Sequence, residues 1–458
     1  MPAVADEDTT LDRIVSYTAA LDPDDLPRDV AREATVRVID MAGALVAGFD
    51  GEACRQVRGL AALAGDSGAT ILGTADRTSL DMAAFANAVA ARHVEMMDVY
   101  HFPGAFGGHP SDVVMPVFSA AELTRRSGRD LIAALVLAYE IFLRFSDMFR
   151  NRGFDDTNFA SIAVSAATAR LMRLGRSEIG NAVAMAAVPS VILRQVRADR
   201  ITMWKVLAAG YAGRAGAFAA QMAQAGIEGP ARPFSGAGGW IAQVSRQPLE
   251  LVEWGGKNER FKILDTRLKN RPTAGETISS ALAAEKLSGR IRDLTAVRRI
   301  KAELYHRALD RAATGAHHWN PASRDAADHS VPYVIAAALR DGRLTIGSFD
   351  DAHLADPVIR SLIACVEVAE NEAFTRTYPH DHRTRLTVEL ADGTSLQAES
   401  GGDADDISMP KTDDQVSEKF TALAEPRLGA ARTEALLKRL WGLESVDDVA
   451  ELPPLLRL

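Results

Sequence analysis

The chain is poor in cysteine, in basic runs and in long apolar stretches, and each shortage removes a class of protein. Only Cys54 and Cys365 occur in 458 residues, far apart in the sequence. That is neither a metal-ligand cluster nor the dense pattern of a disulfide-stapled secreted scaffold, and it predicts a reducing compartment. No run of Lys or Arg appears, and 52 basic against 61 acidic side chains leave a formal charge of −9. Neutralising phosphates needs a concentrated basic surface, so a nucleic-acid partner is not expected. The longest apolar stretch, Leu131 to Phe145, carries Glu140 and Arg144 and is too short for about 30 Å of hydrocarbon at about 1.5 Å per residue. A buried helix is expected there, and no membrane partner. The opening MPAVADEDTTLDRIVSY is acidic and lacks the basic and apolar regions of a signal peptide, which predicts a cytoplasmic protein. Also missing are GxGxxG after a strand, a P-loop, CxxC, GxSxG and HExxH, so nucleotide, simple serine-hydrolase and zincin chemistry have no anchor.

What is there is a sequence with 47% hydrophobic residues, enough to exclude global disorder. At about 100 to 200 residues per domain, the length predicts two or three domains. From about Leu11 to Ala225, Ala-rich segments repeat apolar residues at i, i+3, i+4 and are broken by short Gly, Pro and Asp punctuation, the pattern of a helical domain. Leu80–Val94, Arg129–Phe145, Asn158–Leu174 and Met203–Ala225 each read as several helical turns. Asp29 and the Ser177-Glu178 pair mark helix starts. After about Pro230 short strands mix with helices: Thr295–Leu304 alternates like a half-buried strand, and Arg383–Glu399 reads as a hairpin turning at Asp392-Gly393. Thr273–Leu287 and His329–Leu339 read as helices between them, and Thr412–Leu440 returns to helix and packs back on the first domain. The expected fold is mainly α with an α+β second domain: an all-helical domain over 1–260, completed by helices in 405–458, and a smaller α+β domain over 261–404.

Four stretches carry residues suited to chemistry. The first runs His93-Val-Glu95-Met-Met-Asp98-Val-Tyr100-His101 into a Gly-rich loop and then His109-Pro110-Ser111-Asp112. His109 is the best general acid/base in it, since imidazole titrates near neutral pH and Gly107-Gly108 lets the backbone approach a ligand closely; the alternative is a His capping a helix before Pro110. The spacing matches no standard zinc motif. The second, Leu193 to Arg200 followed by Met203-Trp204-Lys205, sets Arg194, Arg197 and Lys205 where they can bind a carboxylate, or forms a solvated turn. The third is Lys269-Asn270-Arg271-Pro272 with Glu276 beyond it. The fourth is His317-His318-Trp319-Asn320-Pro321 with Arg324 to Tyr333. Tyr333 reads equally as a core aromatic with a satisfied hydroxyl.

Together these segments resemble the MmgE/PrpD family over nearly the whole chain. The resemblance rests on DMAGALVAG at Asp40–Gly48, AAFANAVAARHVEMMD at Ala83–Asp98, GGHPSD at Gly107–Asp112 and LRQVRADRITMWK at Leu193–Lys205. It also rests on HWNPASRDAADHSVPYVIAAAL at His318–Leu339 and ENEAFTRTYP at Glu370–Pro379. It implies a large helical domain and an α+β lid with the active site in the cleft between them, usually in a homodimer. The family's chemistry uses no cofactor and no metal, and moves a proton at the carbon next to a carboxylate of a di- or tricarboxylic acid. Carried over, the HPS histidine is His109, which would transfer the proton. Lys205 and Lys269 would hold substrate carboxylates and stabilise charge, Tyr333 would orient substrate or relay a proton, and the family's acidic positions fall on Glu95 and Asp98. Ser111, Arg194, Arg197, Arg271 and Asp155 complete the expected substrate contacts.

The departures narrow the reading. Relatives with DFNDT or DFDDT have Asp where this chain has Glu95, and a Thr hydroxyl where it has Val99. Several relatives have a His where this chain has Asp155, so a second acid/base His is missing and Asp155 is expected to repel a substrate carboxylate. Arg271 adds a cation after Lys269, and Glu276 stands where relatives often have a His. The expectation is a lyase, a dehydratase of a di- or tricarboxylic hydroxy acid. An epimerase like iminodisuccinate epimerase, a decarboxylase, or a non-catalytic binding protein are the alternatives.

Overall fold

The computed structural model describes residues 8–198, 202–251, 253–256 and 259–458. Contacts divide the chain into two units. One holds the residues up to His93, Met97–Thr266 and Asp413–Leu458; the other holds Val94–Met96 and Arg267–Thr412. The boundaries thus fall at 266/267 and 412/413, beside expected ones at 260/261 and 404/405. The first unit is helical and the second α+β.

The helical unit is built from α1 (Thr9–Ala20), α2 (Arg28–Gly48), α3 (Glu52–Ala62), α4 (Leu80–Arg92), α5 (Val114–Leu123), α6 (Gly128–Met148), α7 (Thr157–Leu171), α8 (Arg176–Ala187) and α9 (Trp204–Gln224), with Asp413–Leu428 and Ala430–Trp441 packed on α2. Small residues set the spacing. A Cβ on Gly216 of α9 would lie 2.5 Å from the Ser161 carbonyl of α7, so α7 and α9 approach more closely than any side chain at that position permits. The apolar stretch Leu131–Phe145 forms the buried part of α6. Its two charges are answered inside: Arg144 donates to Glu140 at 2.9 Å, and Glu140 accepts the backbone N–H groups of Gly255 and Lys262 at 2.9 and 2.8 Å. No helix among the described residues is long and apolar enough to cross a membrane.

The two expected helix starts fall within one residue of the observed ones: α2 begins after Pro27 with Asp29 in its first turn, and α8 begins after Gly175, whose N–H donates to Glu178 at 2.6 Å. An acid in the first turn does its electrostatic work from inside the helix, so it marks the start less sharply than a cap.

The α+β unit centres on a four-stranded sheet, β1 (Val297–Leu304), β2 (Val366–Glu370), β3 (Thr384–Leu390) and β4 (Ser395–Ser400), ordered β2-β1-β3-β4, with β1 and β2 parallel and the other pairs antiparallel. Val297, Ile300, Ala302, Leu304, Leu386 and Val388 join one core with the helices Ile278–Ser288 and Val331–Asp341. The β3–β4 hairpin turns at Gly393, with φ +83°, a conformation glycine adopts without strain. The helix expected from Thr273 starts at Ile278 instead. Thr273 Oγ1 and the Ala274 N–H both donate to the Asp328 carbonyl, at 2.6 and 2.8 Å, which holds that segment outside the helix.

Candidate active site

In the helical unit the loop after α4 folds around Asp98, which has no exposed surface. Its carboxylate accepts the Ser111 N–H at 2.9 Å on one oxygen; the other takes the Tyr139 hydroxyl at 2.9 Å and Arg37 Nε at 3.2 Å. The Asp98 carbonyl lies 2.8 Å from His109 Nδ1. A carbonyl only accepts, so Nδ1 carries the proton and Nε2 is the basic nitrogen of the neutral ring. His109 occupies the N-terminal position of the Pro110–Val113 turn, but its side chain makes no capping bond there; the ring turns back to Asp98.

Gly107 and Gly108 supply the turn that makes this possible, with φ of +88° and +133°. Gly108 also passes so close to Asp156 that a Cβ would sit 2.7 Å from Asp156 Oδ2. The His109 N–H donates to that same oxygen at 3.3 Å. Beside it, Asp155 is buried and accepts Arg197 Nε at 2.6 Å, Arg194 at 3.4 Å and the Thr157 hydroxyl at 2.8 Å. Burial alone would raise the Asp155 carboxyl, but Arg197 and then Thr157 and Arg194 hold it below its ordinary range. Burial, and then the Asp155 charge, push Asp156 up. Asp112 is buried 3.5 Å from Arg92 and is pushed up to about 7, chiefly by burial, with Arg92 pulling the other way. Ser111 is buried, and its hydroxyl oxygen has no hydrogen-bond partner. Lys205 is buried in the first turn of α9, a helix that packs against the Pro110–Val113 turn.

In the α+β unit, Lys269 has no exposed surface and ion-pairs with Glu95 at 2.8 Å. Glu95 has φ +54°, a left-handed conformation that a non-glycine residue holds only under strain. Arg271 makes a two-pronged contact with Glu285, 2.7 Å on each oxygen, and lies 3.1 Å from Asp405. Glu276 pairs with Arg307 at 3.0 Å.

Several expected roles change on this geometry. Asp98 is committed to the loop: both of its carboxylate oxygens are engaged in holding it. Asp155 does not present a bare charge to repel a substrate, because Arg197 and Arg194 neutralise it; by the same contacts Arg197 is held by Asp155 instead of facing a ligand. Arg271 is fixed within its own unit by Glu285 and Asp405. Tyr333 is buried, stacks on Phe349 and donates its hydroxyl to the Ser348 carbonyl at 2.8 Å, which is the core-aromatic arrangement. His93 closes α4 and packs on Gly51, where a Cβ would meet its ring at 2.4 Å, so it does not join the His109 loop. The rings of His317 and His318 lie 3.9 Å apart, tilted by 44°, and burial lowers His318 to about 4, leaving it neutral near pH 7. Asp199 and Arg200, at the end of the second stretch, lie outside the described residues.

Arg37, Tyr139, Arg92 and Asp156 were given no role by spacing, though each matters to the loop. The signal available was a charged or hydroxyl group set within an otherwise apolar helical run, as in VRVIDMAG and LVLAYEIF. Such a group is rarely buried without a partner.

A helical unit carrying a buttressed histidine and an α+β unit carrying a buried Lys–Glu pair fit one known class of two-part chains. Residues 12–251 match the MmgE/PrpD N-terminal domain and residues 272–443 the MmgE/PrpD C-terminal domain. The chain belongs to the MmgE/PrpD family. It is 29% identical to 2-methylcitrate dehydratase of Cupriavidus necator, over 85% of this chain and 84% of that protein. It is 26% identical to cis-aconitate decarboxylase of Homo sapiens, over 82% of this chain and 79% of that protein. With 2-methylcitrate dehydratase of Escherichia coli (strain K12) it shares 26% identity, over 79% of this chain and 78% of that protein.

Proposed function

We propose that the chain is a cofactor-independent lyase that dehydrates a di- or tricarboxylic hydroxy acid, with His109 as the proton-transfer group. The observation that carries this is the bond from His109 Nδ1 to the Asp98 carbonyl, which fixes the tautomer and leaves Nε2 basic. His109 Nε2 takes the proton from the carbon next to a substrate carboxylate. The C–H electron pair becomes the carbon–carbon double bond, and the hydroxyl on the adjacent carbon leaves as water after taking up the proton that His109 Nε2 has just acquired. Negative charge builds on the substrate carboxylate as the proton departs, and the buried ammonium of Lys205 stabilises it where water would otherwise screen the attraction. In this reading Lys269 is a second carboxylate ligand. Glu95 already holds it as an ion pair, so a substrate carboxylate reaches Lys269 only by sharing or exchanging that partner. Tyr333 is assigned to the core of its unit, on its bond to Ser348.

Epimerisation is the second reading, favoured by one observation: Asp155 is engaged by Arg197 and offers no acid to a leaving hydroxyl, whereas reprotonation of the carbon can draw on solvent. Proton NMR in heavy water, with citrate-like, malate, tartrate and aspartate-derived acids, separates the readings. The lyase reading predicts new alkene signals that fall at least about 100-fold in His109→Ala. Deuterium uptake without elimination selects epimerisation, and unchanged turnover in His109→Ala removes His109 from both.

A further inference from the structure

Away from the His109 loop, the helical unit carries a second concentration of charge. Arg126, Arg170, Arg173 and Arg176 line a pocket of about 360 Å³, a volume within the range of small-ligand sites. The carboxylate in the pocket wall, Asp130, caps α6 by accepting from the N–H and hydroxyl of Ser127 at 3.3 and 2.9 Å. Three of the guanidinium groups are anchored, each to a neutral acceptor. Arg126 Nε donates to the Leu171 carbonyl at 2.6 Å, Arg170 to the Thr18 carbonyl at 3.0 Å, and Arg176 to the Ser16 hydroxyl at 2.7 Å. Among the described residues none of the four forms an ion pair with a carboxylate, although their neighbours Arg125 and Arg129 pair with Asp448 and Asp24.

The chain conformation adds to this. Arg173 ends α7 with φ +58°, at a place where its N–H donates to the Arg170 carbonyl and the Leu174 N–H to the Ala169 carbonyl. Glycine is the usual residue there, so an arginine that lines the pocket is held in a strained conformation. Burial, and then the Arg173 charge, lower Arg126, and burial lowers Arg170, with Asp130 and, for Arg170, Asp22 pulling the other way: four cations share one lining carboxylate in a chain of net charge −9.

We propose that this pocket binds a small multivalent oxyanion, a phosphate-type group or a polycarboxylate, through the guanidinium forks of Arg126 and Arg173, with Arg170 and Arg176 beside them. Guanidinium groups suit such ligands because their planar forks match two oxygens at once, and the three anchored ones, Arg126, Arg170 and Arg176, lose little freedom on binding. The site is separate from the His109 loop. α7 has the loop's Asp156 at its start and the pocket's Leu171 at its end, and a helix of that length spans about 22 Å.

The test is isothermal titration calorimetry of the full chain with inorganic phosphate, citrate and, as a monovalent control, acetate. Wild type and His109→Ala are compared with Arg126→Gln/Arg173→Gln and with Arg173→Gly, which removes the charge and the backbone strain together and so keeps the fold. Phosphate or citrate should bind wild type and His109→Ala alike, bind the double variant about tenfold or more weakly, and leave acetate without heat. Phosphate alone binding names a phosphate-type ligand; citrate alone names a polycarboxylate. Equal affinity in the arginine variants overturns the proposal, as does no binding of either anion to wild type. Loss of binding in His109→Ala also overturns it by placing the ligand at the other site. A change in oligomeric state in the arginine variants, with no anion bound by wild type, would assign the arginines to a partner's carboxylates instead.

Discussion

A carboxylate with no exposed surface has to be answered by donors, and around Asp98 these are Arg37, Tyr139 and the Ser111 N–H. They rank Asp98 as a positioning residue that acts through His109. Replacing it with Ala leaves Arg37 buried without that charge and frees the loop, so Asp98→Ala should lose about 3–5 kcal/mol in urea unfolding. A loss under about 1 kcal/mol would mean that the network is not what holds the loop. Asp112 makes a pH prediction. Its folded pKa of about 7 stands above the ordinary 3.8, so the folded state binds the extra proton. Stability from this group is full below about 4 and falls as pH rises through 7. Asp112→Asn mimics the protonated form, so its melting temperature should gain on wild type as pH rises across that window. A constant difference would contradict it. His109 and the acids around it were legible in the sequence, but their division of labour was not. Arg37 and Tyr139 lie 61 and 41 positions from Asp98, and spacing says nothing about which distant residues stand opposite a carboxylate.

At the level of helices and strands, the sequence pattern carried most of the information. Period-3.6 Ala-rich runs and period-2 strands place α4, α6, α7, α9 and the β3–β4 hairpin within a few residues, because burial of one face and local propensity act in the same direction. Ends were less legible where tertiary contacts set them, as at Thr273, which bonds to Asp328. The close contact of α9 with α7 also escapes propensity. In an isolated helix Gly216→Ala would stabilise by about 1 kcal/mol; here the added methyl meets the Ser161 carbonyl at 2.5 Å, so the protein should lose about 1–3 kcal/mol in chemical denaturation. A stabilised Gly216→Ala protein would show that α7 and α9 have room to separate.

For the whole molecule, connectivity matters more than composition. The helical unit is interrupted after Thr266 and resumes at Asp413, so its core is complete only once the last helices are made. Phe420 is buried against Gly43 of α2, and Lys419 ion-pairs with Asp40 at 2.5 Å. Phe420→Ala should therefore cost about 3–5 kcal/mol, read by thermal and urea unfolding. An unchanged midpoint would mean that Asp413–Leu428 is dispensable to the core. The helical pattern of the tail was readable in the sequence, but periodicity alone does not say which helix a segment packs against.

The central claim is that His109, fixed by Asp98, moves a proton next to a substrate carboxylate. Its most direct test is solvent-deuterium exchange and elimination, followed together by proton NMR for wild type, His109→Ala and Asp98→Ala. The account predicts product or deuterium uptake in wild type, near-total loss in His109→Ala, and a reduced rate in whatever fraction of Asp98→Ala folds. Full activity in His109→Ala would contradict it.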